Sequence, residues 1–319
     1  MASSSSQPLF SLPQGLTPLM ATRPWEHLDA SSLNFTNWPV SVQAWLVQEV
    51  VFHVVGLIFE YADQHKQLEH VKVRKLKQSG YLKLLPNVLR NQILVLLPMM
   101  YLSEYLGLCF TGPKQLSLFR FIASLPAMAI GHDIIQYIGH RYILHFPSVW
   151  MMKTFRHSVH HSTKANSAIS ACYMSSIDFF IEIVCPYLLP LALVGGGGSG
   201  TFFHFLVAGT GAIGGLYEHS GFDFSLYFRK ADPAPEDKPA VTEPTEHEEE
   251  KGMVLKAVTN FLADFLDNRS HLEHHRRGYV SFSDGFGSPG ICDTLLGTRW
   301  DLSERRKADV EKEWARQRH

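Results

Sequence analysis

An all-α integral membrane bundle, with a helical cap gathered on one face, is predicted by three features of this 319-residue chain. They are five long apolar stretches, an uneven charge distribution in the loops between them, and three tight clusters of histidine. Acidic and basic residues nearly cancel, thirty against twenty-nine, so nothing suggests a nucleic-acid partner. The cysteines, Cys109, Cys172, Cys185 and Cys292, are widely spaced and form no CxxC pair, which fits a reducing or membrane-buried setting better than secretion.

Taken in order, residues 1–40 read as a disordered polar lead, without the basic start and long apolar run of a cleavable signal. A spanning helix needs roughly 20 mostly apolar residues. The first candidate, Val42 to Tyr61, is interrupted by Gln48, Glu49 and His53; the second is Val88 to Phe110, which carries Glu104. Leu118 to Ile138 is the third and includes His132 and Asp133. The fourth, Ala168 to Val194, contains Asp178, Glu182 and two prolines and ends in four glycines. Thr201 to Tyr217 is the fifth. These divide the chain into N-terminal membrane helices over 41–117, a histidine-rich region over 118–300 and a charged tail over 301–319, which reads as a solvated helix. The Pro-rich, acidic stretch 229–252 is expected to be a mobile loop.

The loop after the first span, HKQLEHVKVRKLKQSGYLK, is strongly basic, whereas the connections at Thr111–Lys114 and Gly195–Gly200 are short and nearly uncharged. Cytoplasmic loops carry the excess of Lys and Arg, so the basic loop is placed in the cytoplasm. Alternation then puts His140–Asn166 and everything after Tyr217 on the same side, and all the histidine clusters converge on one membrane face.

Of the seventeen histidines, eight fall in the three clusters. The first is His140 and His145, a spacing of five that lies about 140° apart on an ideal α-helix. Both face one point only if the helix ends or bends, and Phe146-Pro147 supplies a stop. The second, His157-Ser-Val-His160-His161, and the third, His271-Leu-Glu-His274-His275, share the spacing i, i+3, i+4, which places three rings on one helix face. Imidazole suits iron, copper, nickel or zinc. Eight to ten such donors exceed what one ion uses, so two metals with four or five nitrogens each is the natural division. His219, ending the fifth span on the same side, is a ninth candidate.

Other polar residues in the spans are expected to assist. Asp133 lies on nearly the same face as His140 and is a candidate to receive the free ring N–H of a metal-bound histidine. His132, roughly 12 Å deeper than His140 by helical rise, is a further candidate in that outer layer. Asp178 and Glu182 share a face at i and i+4, and with His204 they are candidates to line a substrate cavity, helix pairing being the alternative.

These residues resemble the fatty acid hydroxylase and sterol desaturase superfamily of integral membrane di-iron enzymes. The resemblance rests on His132-Asp133 with Tyr137 and His140-Arg141, on Arg156-His157-Ser-Val-His160-His161, on His219-Ser220-Gly221, on His271-Leu-Glu-His274-His275, and on the closing Phe286-Gly287 and Cys292-Asp293-Thr-Leu-Leu-Gly297-Thr298. It covers about residues 118 to 299. It implies His140, His145, His157, His160, His161, His219, His271, His274 and His275 as ligands to two irons, with O2 as co-substrate. The implied chemistry oxidises an unactivated C–H bond of a fatty acyl, sphingoid, sterol or terpenoid substrate to an alcohol, or to an alkene if a second hydrogen is lost. Where some relatives carry a further histidine after the position of His219, this chain has Phe222, Asp223 and Phe224, and the 229–252 insertion is longer than usual. No HPGG haem-binding segment is present. The resemblance therefore implies an external electron donor, cytochrome b5 or its reductase, at the cytoplasmic face of the endoplasmic reticulum. A metal transporter fits less well because the clusters leave no ligand path across the membrane. A silent scaffold with structural zinc needs only four ligands.

Overall fold

The computed structural model describes residues 35–76, 79–145, 149–194, 197–229, 246–283 and 288–302. Most of the predicted polar lead and charged tail, and the Phe146-Pro147 stop, lie outside these. The chain divides into a unit up to Pro39 and a unit Val40–His319. In the first, Phe35–Asn37 form one 3-10 turn.

The second unit is helical throughout, and among the described residues the only β-type pairing is an isolated bridge between Lys72 and Phe222. Its helices are α1 (Val40–Gln64), α2 (Tyr81–Asn91), α3 (Leu97–Tyr105), α4 (Leu118–Tyr137), α5 (Val149–Thr154), α6 (His157–His161), α7 (Ser176–Phe179), α8 (Cys185–Leu193), α9 (Thr201–His219), α10 (Glu246–Phe265), α11 (Arg269–Arg277) and α12 (Ile291–Leu295). Three π-helical segments run on directly from helices: Gln92–Leu96 after α2, Ile138–Leu144 after α4, and Phe180–Val184 after α7.

Three helical stretches are long and apolar enough to cross a membrane: Val40–Gln64, Leu118–Leu144 and Ser176–Leu193. They match the first, third and fourth predicted spans. Only 11% of the apolar window of Leu118–Leu144 is buried within the chain, so its side chains, Leu118, Phe119 and Ile122 among them, point outward as lipid contact requires. The predicted second and fifth spans are helical but fall short in apolarity. In the second, the polar residues have structural partners. Glu104 accepts from the Val40 and Ser41 backbone N–H groups at 3.1 and 2.8 Å, capping α1 at its positive end. Asn91 Nδ2 donates to the carbonyls of Cys172 and Met174, satisfying irregular backbone that enters the core.

Helix α9 packs along α1 and α4 along α8. The second contact depends on a close approach, since a Cβ on Gly131 would lie 2.7 Å from Pro190 Cβ; the adjoining π-helical segments are also close, a Cβ on Gly139 lying 3.1 Å from Ile181 Cγ2. The core between these helices is apolar, with Phe179, Leu191, Leu96, Met100 and Leu216 fully buried.

The expected mobile loop 229–252 meets a different outcome at its C-terminal end, where residues 246–252 are the first turns of α10. Residues 230–245 lie outside the described residues.

Candidate metal centre

The first histidine pair is aligned by a change of winding. Past α4 the helix widens into the π-helix Ile138–Leu144, and the His145 N–H donates to the His140 carbonyl at 3.0 Å, an i to i+5 bond. Residues five apart are thereby stacked, and the pair that an α-helix would splay faces one centre. Sequence reasoning expected a break or bend here; the chain supplies a wider coil.

The second box is α6 itself, entered through Arg156 in the left-handed region at φ 58°. The third lies on α11, ended by Gly278 at φ 70°. The nine predicted ligands separate into two groups. His140, His145, His157, His161 and His274 form one and His160, His219, His271 and His275 the other, with the donor atoms in each group within 4.8 Å of one another. Each box divides between them in opposite senses. From the second, the i and i+4 rings (His157, His161) join the five-membered group and the i+3 ring (His160) joins the four-membered one. From the third, His271 and His275 join the four-membered group and His274 crosses over. Sequence spacing suggested that a whole box shares one centre. The division arises because adjacent residues on a helix point about 100° apart, so His160 and His161, or His274 and His275, cannot serve the same point.

The rings are held from behind. His140 Nδ1 donates to the Phe282 carbonyl at 2.9 Å, His274 Nδ1 to Val280 at 2.7 Å and His219 Nδ1 to Gly215 at 3.0 Å. His157 Nδ1 donates to Asp178 Oδ1 at 2.9 Å. A carbonyl or carboxylate only accepts, so these neutral rings carry their proton on Nδ1 and present a bare lone pair on Nε2. The Nε2 atoms nevertheless face one another. His140 and His157 approach to 3.2 Å, His157 and His145 to 3.1 Å, His161 and His274 to 3.1 Å, and His219 lies 3.1 Å from both His160 and His271. His140 and His157, both with Nδ1 protonated, cannot hydrogen-bond through Nε2. Their approach makes sense around a cation. Both ring nitrogens of buried His275 also have no partner. On these grounds the site fits two metal ions.

Burial sets the protonation. It holds His157, His160, His161, His271 and His275 well below the ordinary imidazole range, with neighbouring imidazoles adding to the effect. Burial, aided by His274, pushes His145 down to about 2, and burial brings His274 to about 4. The rings are neutral at physiological pH, the form that binds metal.

The supporting residues differ from those predicted. Asp133 does not touch His140. Its Oδ1 accepts from Cys292 N–H and its Oδ2 from Ile291 N–H, both at 2.9 Å, and Oδ2 also accepts from Ser288 Oγ at 2.8 Å. The carboxylate lies beside the start of α12, where free backbone N–H groups outcompete a more distant ring. The predicted carboxylate–histidine contact exists, but Asp178 makes it, to His157. Glu182 joins it near the rings, so this pair lines the metal centre and not a cavity shared with His204. His204 bonds through Nε2 to the Gly198 carbonyl at 2.9 Å, and His132 joins neither histidine group. A contributor without a sequence signal of its own is the 280–283 turn, whose carbonyls orient His274 and His140. Asp293, known beforehand only as part of the closing motif, fixes that turn by accepting from the Phe282 and Ser283 N–H groups at 2.9 and 2.7 Å.

The basic loop also reaches this end of the molecule: Arg74 Nη1 donates to the Leu272 carbonyl at 2.8 Å and Lys72 Nζ to Ser220 at 2.8 Å. A cavity of about 280 Å³ opens onto His161 and His275 between Arg74, Lys164 and Arg276.

No curated protein and no solved structure gives a significant match to this chain. A family profile described as "Fatty acid hydroxylase" matches residues 125–298, more than half the chain and every histidine of both groups. The chain belongs to the fatty acid hydroxylase family, within the fatty acid hydroxylase and sterol desaturase superfamily.

Proposed function

We propose that this protein is an O2-dependent hydroxylase that uses two irons to oxidise an unactivated C–H bond of a lipid-like substrate, namely a fatty acyl chain, sphingoid base, sterol or terpenoid. The family supplies the coarser statement, an oxidative membrane enzyme acting on lipids. The observation carrying the finer one is the reciprocal division of the two HxxHH boxes into five and four converging donors. A structural zinc site closes with four; nine neutral donors in two groups suit a pair of redox ions.

Bound iron would supply the electrons that reduce O2 and the oxidising power to attack the C–H bond. The chain's own residues perform the rest. His140, His145, His157, His161 and His274 would hold one ion, and His160, His219, His271 and His275 the other. Asp178 and the carbonyls of Phe282, Val280 and Gly215 fix the tautomer that points Nε2 inward. Phe282, its ring centroid 5.4 to 5.9 Å from those of His140, His145 and His274, shields that side from water.

The reading further places the protein in the endoplasmic reticulum with the site on the cytoplasmic face, taking electrons from cytochrome b5 or its reductase. In the cleft beside His161 and His275, the cations Arg74, Lys164 and Arg276 outnumber the one acid, Glu273, which pairs with Arg276, and that balance suits an anionic donor surface. The domain reading stays as proposed: membrane helices over 41–117, a catalytic region over 118–300 and a charged tail from 301.

Detergent-purified protein prepared with iron available is expected to carry about two irons per chain and, with a reductase system and lipid, to form an alcohol. A protein that is folded and metal-free under those conditions would sink the proposal; an alkene product would move it to desaturation.

A further inference from the structure

Glu182 stands in the middle of a stretch that is apolar enough to span a membrane, where a carboxylate is costly unless it has a task. It is buried and sits at the centre of the π-helix Phe180–Val184, which replaces ordinary helical winding at that point. Segments of this kind are frequent at functional sites. Its Oε1 lies 3.7 Å from His140 Nε2, a donor of the five-histidine group, and 4.0 Å from His160 Nε2, a donor of the four-histidine group. Its Oε2 lies 3.4 Å from His157 Nδ1 and makes no hydrogen bond.

We propose that Glu182 is a tenth ligand, a carboxylate shared between the two metal positions. The proposal rests on the two-metal reading above. Charge supports it: nine neutral imidazoles leave two divalent ions with their full positive charge inside a buried site, and an anion in contact with both offsets part of it. A cation beside it would in turn stabilise this buried carboxylate. The ion-pair partners of Glu182 are the rings of His140, His157 and His160. Asp178 is the carboxyl neighbour of Glu182 and differs from it in that its Oδ1 is committed to His157 from behind.

The test is infrared difference spectroscopy on full-length protein in detergent, grown with glutamate carrying a 13C-labelled side-chain carboxyl, before and after loading with iron or zinc. A labelled carboxylate band is expected to shift on loading and to be missing from both E182Q and E182D. Loaded E182Q is expected to bind metal about 10- to 100-fold more weakly, with E182D, which keeps a carboxylate, recovering part of the loss. Two bound ions with no Glu182-dependent band shift would overturn this assignment and leave the two-metal reading standing. A folded wild type that binds no metal would overturn both. Should E182Q fail to fold, E182D and the wild-type spectrum decide the matter, because E182D also removes the label from position 182.

Discussion

The two histidine groups draw on the same two boxes in mirror proportions, yet they are braced differently. In the five-membered group, three rings are tied through Nδ1: His140 to Phe282, His274 to Val280 and His157 to Asp178. In the four-membered group His219 is tied to a carbonyl one turn back on its own helix, His160 has the Tyr173 backbone beside it without a well-aligned bond, and neither ring nitrogen of His275 has a partner. The first group is held by the fold whether or not a metal is present. The second has fewer well-aligned ties, so a bound metal would do more to fix its rings. Preorganised donors bind more tightly because less order is lost on binding, so the five-membered site is expected to fill first.

The sharpest way to break this comparison is to remove one donor from each group. H161A and H271A are each expected to abolish turnover, but with different metal counts. H271A should retain one ion at the braced site, whereas H161A should weaken that site and leave neither firmly held. Elemental analysis of the two purified variants checks this, and equal losses would show that the bracing has no effect on order.

Next in size is the brace itself. D178N should lower metal affinity of the five-membered site about 10- to 100-fold with little change at the other, measured by metal titration. D133N should instead act on stability, by about 1–3 kcal/mol, the cost of poorly satisfying buried donors, because Asp133 holds the closing segment and touches no ring. Melting temperature together with metal affinity separates the two variants.

Acid should destabilise the metal-free protein. The buried histidines have folded pKa values below the ordinary 6.5, that of His274 about 4. Below pH 6.5 the unfolded chain therefore takes up protons that the folded one refuses, and stability falls as pH drops towards 4. Bound metal also leaves in that window because protons compete for the same nitrogens. Thermal melts of metal-free protein at pH 7.5, 6 and 5 should descend in that order. The smallest and most local test is G131A, which would drive a Cβ into Pro190 and is expected to cost about 1–3 kcal/mol by overpacking without altering metal affinity.

Much of the site was legible in the sequence because its donors are rare residues at helical spacings: the nine histidines that gather in two groups are the nine singled out. Residue type marks a candidate ligand but not its neighbours. Asp133 and Asp178 are both carboxylates in apolar helices, and only tertiary packing shows that Asp178 faces His157 while Asp133 faces the backbone of α12. The π winding at Ile138–Leu144 was hidden for a different reason. A shift from i+4 to i+5 bonding leaves composition unchanged, so HxxxxH looked like a poorly aligned pair. In the fold, three of the five apolar stretches met both length and apolarity. In the second, Glu104 was visible as an interruption, but its work, capping α1, lies across the molecule, as does that of Asn91, which fastens the Cys172 and Met174 carbonyls.

The reciprocal sharing of the two boxes has a consequence for how the protein is made. During synthesis the second box leaves the ribosome long before the third, and neither group is complete without both. The carbonyls of Val280 and Phe282 and their anchor Asp293 come later still. No partial chain can therefore offer either ion its full set of donors, and metal loading has to follow the insertion of every membrane helix. A nascent chain that stalls after His219 would expose six inward-facing imidazoles with nothing to close them, a state that cellular quality control could tell apart from the finished enzyme.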